Sequence, residues 1–135
     1  MRPLILDTNA YTAFKKGDPH ITSILQTVEE IILSPIVLGE LLAGFQGGQY
    51  LAKNKKELDL FLDSARVQVH PITSDTAHFY GLIFNRLKSK GSPIPSNDMW
   101  IAAQALEKGY QICTLDKHFL HVEGIVIIQT LTDLI

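Results

Sequence analysis

The chain has 135 residues, of which 46% are hydrophobic, 12 are basic and 14 are acidic, and its formal net charge at pH 7 is −2. This length suits one domain that buries its core without a disulfide or a structural metal, so we expect a single domain over residues 1–135. The composition excludes a disordered chain. The near-zero net charge argues against a basic nucleic-acid-binding module.

The chain also lacks the sequence features of exported and membrane proteins. Its single cysteine, Cys113, cannot form an internal disulfide. No apolar run approaches the roughly 18 residues that a membrane span requires. The first apolar run ends at Asp7 and is too short for a signal peptide. We therefore expect a cytoplasmic protein that has no contact with a membrane.

Short apolar runs that predict strands alternate with longer patterns that predict helices. In chain order, the strands are expected at 3–6, 31–33, 67–70, 110–115 and 125–128. Helices are expected between them: two within 10–29, then 35–45, 51–65, 73–90, 96–108 and a short one near 117–121. The alternation predicts an α/β fold with a mainly parallel central sheet of about five strands, flanked by helices.

Two of these helices carry more detailed predictions. In the helix over 73–90, the spacing of the apolar residues turns one face inward, with Tyr80, Ile83, Phe84 and Leu87 on it. In the helix that ends at Lys108, Ser96 is expected as the N-cap. Trp100 follows at helical spacing among apolar residues and is expected in the core.

Two acidic residues directly follow predicted strands. Asp7 comes after Leu4-Ile5-Leu6, and Asp116 comes after the strand that ends at Leu115. The carboxyl ends of parallel strands meet at one edge of a sheet, and ligands of open α/β sheets bind beyond that edge. Each acid also has a simpler explanation, because Asp7 can form a turn and Asp116 can cap the helix that follows it.

Two further acids fall on helical faces that are otherwise apolar. Glu40 has Ile36, Val37, Ala43 and Gly44 as neighbours on its face, and a charge there is costly unless it is paired or binds a metal. Asp98 lies in the first turn of its helix, where it can also act as a helix-capping charge. Glu57, Asp63 and Glu107, by contrast, have polar neighbours and are expected to be solvated.

Several carboxylates gathered at one cleft repel each other, and a hard cation such as Mg²⁺ or Mn²⁺ relieves that repulsion. One or two such ions need no cysteine or histidine. His118 and His121 are spaced three apart, but no second pair exists, so zinc is not expected and no histidine is predicted at the site. A metal site made of acids suits phosphodiester hydrolysis by a metal-activated water.

Each of the four acids lies in a longer block of sequence. The blocks are Leu6-Asp7-Thr8-Asn9, Leu38-Gly39-Glu40-Leu41-Leu42-Ala43-Gly44, Ile94-Pro95-Ser96-Asn97-Asp98-Met99-Trp100-Ile101-Ala102-Ala103 and Thr114-Leu115-Asp116-Lys117-His118-Phe119. These blocks resemble the PIN domain, and more closely the VapC-type toxins of bacterial and archaeal toxin–antitoxin pairs. The order and spacing of all four fit over nearly the whole chain.

The resemblance implies a PIN-like three-layer domain with a metal-dependent endoribonuclease activity. It places the family's catalytic, metal-binding acids on Asp7, Glu40, Asp98 and Asp116. It also implies that hydrogen bonds from Thr8, Asn97 and Thr114 support the site. Leu115 departs from the family pattern, in which many relatives carry a polar or basic residue there. A homodimer, a small antitoxin that plugs the site and a structured RNA substrate such as tRNA are implied as well.

Basic residues close to the predicted site are candidates for RNA binding. Arg86, Lys88 and Lys90 end the helix that precedes the loop to Asp98, and Lys117 is adjacent to Asp116. A second group at Lys53, Lys55 and Lys56 is interpreted instead as a solvated helix face.

Two other functions would account for part of this pattern. A phosphotransfer enzyme of the haloacid-dehalogenase type also has an aspartate after its first strand, but that pattern places a second aspartate where this chain has Asn9. A non-catalytic signalling or RNA-binding α/β module would use Asp7 and a metal, but it has no use for Glu40 on an apolar helix face.

Overall fold

The computed structural model describes residues 1–135 and has one five-stranded sheet in the order β3-β2-β1-β4-β5. Every strand pair is parallel, with Leu4 opposite Ile31 and Leu6 opposite Cys113 in the two central pairs. The strands are β1 Leu4–Leu6, β2 Ile31–Leu33, β3 Val67–Val69, β4 Gln111–Cys113 and β5 Val126–Ile128. The predicted α/β fold with a parallel sheet is confirmed.

Six α-helices flank this sheet and connect its strands. None of them combines the length and the apolar character needed to cross a bilayer. The helices are α1 Thr8–Lys15, α2 Pro19–Thr27, α3 Pro35–Gln46, α4 Leu51–Leu62, α5 Ser74–Lys90 and α6 Ser96–Lys108, with 3₁₀ turns at Lys117–His121 and Leu131–Asp133.

The three strands β1, β2 and β4 form the centre of the core, and all their residues are buried. Parallel strands covered on both faces bury both sets of side chains, which is why these segments read as continuous apolar runs. β3 lies at the edge, and two of its three residues are exposed. This arrangement holds the carboxyl ends of β1 and β4 side by side.

The inward face predicted for α5 is only partly right. Ile83 and Leu87 are buried, but Phe84 is 45% exposed and Tyr80 is half-buried. Successive helical residues point about 100° apart, so Phe84 is turned away from the stripe that Ile83 occupies. Its ring stacks on that of Tyr80 instead, with the centroids 6.4 Å apart.

The start of α6 is shifted by one residue from the prediction. Pro95 is the N-cap, and Ser96 is the first helical residue rather than the cap. The Ser96 hydroxyl lies 3.0 Å from the Tyr80 hydroxyl, so it joins α6 to α5. Trp100 was expected in the core but is half-buried, because its ring stacks on Tyr80 with centroids 4.2 Å apart.

Glu107 was predicted to be solvated, but its side chain is only 9% exposed. The buried Thr76 hydroxyl of α5 donates a hydrogen bond to Glu107 Oε1 on α6 at 2.7 Å. Lys108 Nζ lies 4.0 Å from the other carboxylate oxygen. This contact between α5 and α6 depends on tertiary packing, which local sequence neighbours do not reveal.

We expect Thr76→Val to destabilise the protein by about 1–3 kcal/mol, because the buried Glu107 carboxylate loses its hydrogen-bond donor and the Thr73 N–H at the start of α5 loses its acceptor. Urea denaturation measures this change. Thr27→Val is the matched control, since the Thr27 hydroxyl donates to the Ser23 carbonyl on an exposed helical surface. The control should change stability by less than about 0.5 kcal/mol. Equal effects of the two substitutions would contradict a stabilising role for the Thr76–Glu107 contact.

Candidate active site

Asp7 lies at the shared carboxyl end of β1 and β4. Its backbone N–H donates to the Cys113 carbonyl at 3.0 Å, and its side chain caps α1 by accepting a hydrogen bond from the Thr8 N–H at 2.7 Å. The buried Thr114, which follows β4, donates its hydroxyl to Asp7 Oδ2 at 2.8 Å. Both carboxylate oxygens of Asp7 are therefore held in place, and the residue is only 4% exposed.

Glu40 reaches the same place from α3. The Thr8 hydroxyl donates to Glu40 Oε1 at 2.7 Å, which joins α3 to the start of α1. Ala43 and Gly44, one turn further along α3, are exposed, so this end of the predicted apolar face is open rather than buried. The charge of Glu40 is accommodated because the residue lines an open pocket.

Asp98 and Asp116 are brought together by a histidine. Asp98 lies in the first turn of α6, and Asp116 caps the 3₁₀ turn after β4. His118 Nδ1 lies 3.0 Å from Asp98 Oδ2 and 3.0 Å from Asp116 Oδ1. The sequence prediction that no histidine belongs at the site is therefore wrong. The available signal was the position of His118 two residues after Asp116, at the start of the turn.

The four predicted acids line one open pocket of about 530 Å³. They come from four separate segments of the chain. Asp7 and Asp116 follow the neighbouring parallel strands β1 and β4, and Glu40 and Asp98 reach the pocket from α3 and α6. The pocket is completed by Thr8, Asn9, Thr12, Ala13 and Lys16.

The polar residues around the acids differ in part from the prediction. Thr114 links two acids, because its hydroxyl also accepts a hydrogen bond from the Asp116 N–H at 2.9 Å. Asn97 is exposed and makes no hydrogen bond to any of the four acids. Asn9 lines the pocket, and its Oδ1 accepts from the Leu115 N–H at 3.1 Å, so it holds the backbone beside Asp116 rather than an acid itself.

The basic residues predicted to bind RNA lie outside this pocket. Lys117 is exposed beside Asp116. Arg86 and Lys90 line a separate pocket at the end of α5, where Lys90 Nζ donates to the His121 carbonyl at 2.9 Å. Lys88 borders another, apolar pocket. The basic residue that lines the acidic pocket is Lys16, which is not among the residues predicted to bind RNA.

The electrostatics of the pocket disfavour four free carboxylates. The pKa of Asp7 is raised to about 6, chiefly by burial and to a smaller extent by the charges of Asp98 and Glu40, against the lowering effect of its hydrogen bonds. Burial also raises the pKa of Asp98, while the hydrogen bond from His118 lowers it. The pKa of His118 is raised chiefly by that hydrogen bond. A cation bound here would relieve the repulsion.

The donor set fits a divalent cation. Asp98, Asp116 and His118 each offer one ligand atom, and these atoms lie within 4.8 Å of one another. Carboxylate oxygens suit Mg²⁺ and Mn²⁺, and the imidazole adds a nitrogen that first-row transition metals accept. The pocket is thus an acidic cluster able to hold a divalent metal ion.

Comparison with protein families assigns residues 4–125 to the PIN domain. The chain belongs to the PIN-domain family. Within it, the chain is 33% identical over 106 residues to Ribonuclease VapC1 of Haemophilus influenzae (strain R2866). The aligned residues cover 76% of this chain and 78% of the relative. It is 28% identical over 128 residues to Ribonuclease VapC2 of Rickettsia felis, covering 91% of this chain and 94% of the relative.

Solved structures of PIN-domain toxins have the same fold. The chain matches VapBC2 from Rickettsia felis, bound to a DNA fragment from its promoter, with a TM-score of 0.84 and 25% identity over 93% of this chain and 97% of that one. It matches VapBC-1 from nontypeable Haemophilus influenzae with a TM-score of 0.83 and 27% identity over 94% and 97%. The predicted VapC-type ribonuclease is confirmed, and neither the phosphotransfer enzyme nor the non-catalytic module is supported.

We expect Asp7→Asn to stabilise the metal-free protein at neutral pH. Because the folded-state pKa of Asp7 is raised to about 6 from 3.8, the wild-type protein loses stability as pH rises through this window. The asparagine variant has no carboxylate to ionise there, so it does not lose this stability. Its free energy of unfolding should exceed that of wild type by almost nothing at pH 4 and by on the order of 2 kcal/mol at pH 7.5.

Urea denaturation in EDTA at several pH values measures this difference. Asp59→Asn is the control, because Asp59 is exposed on α4 and makes no side-chain hydrogen bond. A constant difference between wild type and Asp7→Asn from pH 4 to pH 7.5 would contradict the raised pKa.

Proposed function

We propose that this PIN-domain protein is a Mg²⁺- or Mn²⁺-dependent endoribonuclease toxin whose active site is the pocket of Asp7, Glu40, Asp98 and Asp116. The observation that carries the proposal is the convergence of four carboxylates from separate segments on one open pocket. The buried Asp7 at its base is costly to ionise without a cation nearby. One or two divalent ions fit this donor set.

The chain's own residues supply the binding and positioning. Asp98, Asp116 and His118 would hold a metal ion, since their ligand atoms already lie close together. A bound ion supplies Lewis acidity, which lowers the pKa of water and neutralises charge on the phosphate. Thr114 fixes the orientation of Asp7, and Thr8 fixes that of Glu40.

The Thr8 hydroxyl occupies only Oε1 of Glu40, so Oε2 remains free to bind a cation or to take a proton from an attacking water. We propose that water attacks the phosphorus while the bond to the ribose 3′-oxygen breaks, so that the 3′-oxygen leaves as a hydroxyl after taking up a proton and the other product carries a 5′-phosphate. No residue needs to activate the 2′-hydroxyl in this reaction.

The partners in this proposal are a structured RNA such as tRNA, a cognate antitoxin protein and a second copy of the chain. Support for the antitoxin comes from the structural relatives, which are VapBC assemblies. Because its substrate is cellular RNA, the toxin is proposed to act in the cytoplasm. Lys117 and the α5 group of Arg86, Lys88 and Lys90 remain candidate RNA contacts at the periphery.

We predict that Asp98→Asn lowers RNA cleavage at least 100-fold while the fold is retained, because a metal-ligand oxygen becomes an amide nitrogen or a neutral oxygen. Cleavage of total cellular RNA, followed by gel analysis and 5′-end mapping, measures the loss. Asp75→Asn, an exposed acid in the first turn of α5, is the control. Cleavage by Asp98→Asn at the wild-type rate would exclude this pocket as the active site.

Removal of metal should have the same effect as the substitution. EDTA is expected to abolish cleavage, and addition of Mg²⁺ or Mn²⁺ in separate reactions should restore it. The comparison of the two ions identifies the preferred metal. Full activity in EDTA would contradict metal dependence, whereas zinc-only recovery would contradict the proposed ion class.

The toxin role predicts that expression of the chain arrests bacterial growth and that the product of an adjacent small gene relieves the arrest. Colony counts and growth curves after induction measure both effects. Asp98→Asn serves as the non-toxic control. If growth arrest persisted with every adjacent gene product, the result would contradict the toxin–antitoxin role but not the ribonuclease activity.

A further inference from the structure

A second pocket, of about 270 Å³, adjoins the acidic pocket. We call it the lysine pocket, after Lys15, Lys16 and Lys53 in its lining. Thr12 and Lys16 line both pockets, so the two form one continuous surface. Its other lining residues are Tyr11, Phe45, Asn54 and Glu57.

The lysine pocket has an excess of positive charge that the protein does not neutralise. Lys53 Nζ lies 3.9 Å from Glu57 Oε1, and the Lys53 and Glu57 side chains are 73% and 35% exposed. Solvent therefore weakens this ion pair. Lys15 and Lys16 form no salt bridge, although Lys16 shares a pocket with four acids. Lys15 Nζ lies 5.1 Å from the centroid of the Phe14 ring, which is an aromatic rather than an anionic contact. These ammonium groups remain available to a bound anion.

The pocket also offers an aromatic surface. Phe45 at the end of α3 is half-buried and contributes to the wall. Basic side chains combined with an aromatic face are typical of sites for single-stranded nucleic acid, because the lysines bind phosphates while a base stacks on the ring. Asn54, on α4, adds an amide able to donate and accept hydrogen bonds.

We propose that the lysine pocket binds the RNA strand next to the cleaved bond, with Lys16 and Lys53 on a neighbouring phosphate and Phe45 against a base. The inference rests on the proposed function, because the cleaved phosphate must lie among the four acids. A strand that leaves that position through the shared wall of Thr12 and Lys16 enters the lysine pocket directly.

The α5 group of basic residues is a weaker candidate for this role. Arg86 and Lys90 line a pocket that shares no residue with the acidic pocket, and Lys90 is already bound to the His121 carbonyl. An acidic segment of a protein partner would also be attracted to the lysine pocket. Continuity with the place where an RNA phosphate is cleaved favours RNA over such a segment.

The test compares a double variant, Lys16→Gln with Lys53→Gln, against the matched control Lys55→Gln with Lys56→Gln. The control removes two exposed lysines of α4 that line neither pocket. Fluorescence anisotropy with labelled total tRNA and a mixed-sequence 12-nucleotide RNA measures binding, with Ca²⁺ in place of Mg²⁺ so that a hard cation can occupy the acidic pocket. Gel analysis of the RNA after each titration checks that it was not cleaved. Repeating the titration at several KCl concentrations gives the salt dependence.

We expect the Lys16/Lys53 variant to bind RNA at least 10-fold more weakly than wild type, and the control to stay within twofold. The slope of log K against log salt should fall by about 1 to 2 in the first variant only. A purely structural role would not change that slope. Thermal unfolding of both variants checks that they are folded.

Equal RNA binding by the two double variants, with wild-type cleavage intact, would overturn the lysine pocket but leave the ribonuclease function standing. The proposal would also be overturned if the Lys16/Lys53 variant lost binding to a deca-glutamate peptide but kept its binding to RNA, since the pocket would then serve a protein partner. No RNA binding by wild type at micromolar concentrations would also overturn it. Failure of wild type to cleave RNA with either ion would instead refute the proposed function.

Discussion

Burial of a carboxylate at the shared end of β1 and β4, next to other acids, is the constraint on which the site depends. Asp7 is buried there, and the charges of Asp98 and Glu40 add to the cost of ionising it. The Thr114 hydroxyl and the Thr8 N–H offset part of that cost. The protein holds an arrangement that is unfavourable without a cation, which is the property that a metal-dependent active site requires.

The fold can maintain this arrangement because the centre of its sheet is fully buried. The central strands have only three residues each, but they are buried on both faces. Close packing of such a core resists the small shifts that would let the carboxylates separate. The Thr76–Glu107 contact acts at the other end of α6 from Asp98, where it joins that helix to α5. The site is therefore held by packing at a distance as well as by its own hydrogen bonds.

The overall charge of the chain hides how its charges are distributed. The formal net charge is −2, which alone suggests little affinity for nucleic acid. Four of the acids, however, share one pocket, and without them the basic residues are in excess. Bound cations would turn that pocket from repelling phosphate to attracting it. The adjoining lysine pocket already carries the sign of charge that an RNA strand needs.

Much of this could be predicted from the sequence. Asp7 and Asp116 were located from the ends of apolar runs, and Glu40 from a charge on an otherwise apolar helical face. The parallel α/β fold followed from the alternation of strands and helices. These features are local, because strand ends and helix faces are determined by residues only a few positions apart.

Tertiary structure decided what local patterns cannot show, namely which distant side chains meet. It placed His118 between Asp98 and Asp116, left Asn97 exposed, and buried Glu107, which its local neighbours predict to be solvated. It also put Lys16, rather than the basic end of α5, on the wall of the acidic pocket. The sequence by itself determined the type of fold and the four acids. The neighbours of those acids depended on how separate helices pack on the sheet, and that packing is not contained in residue spacing.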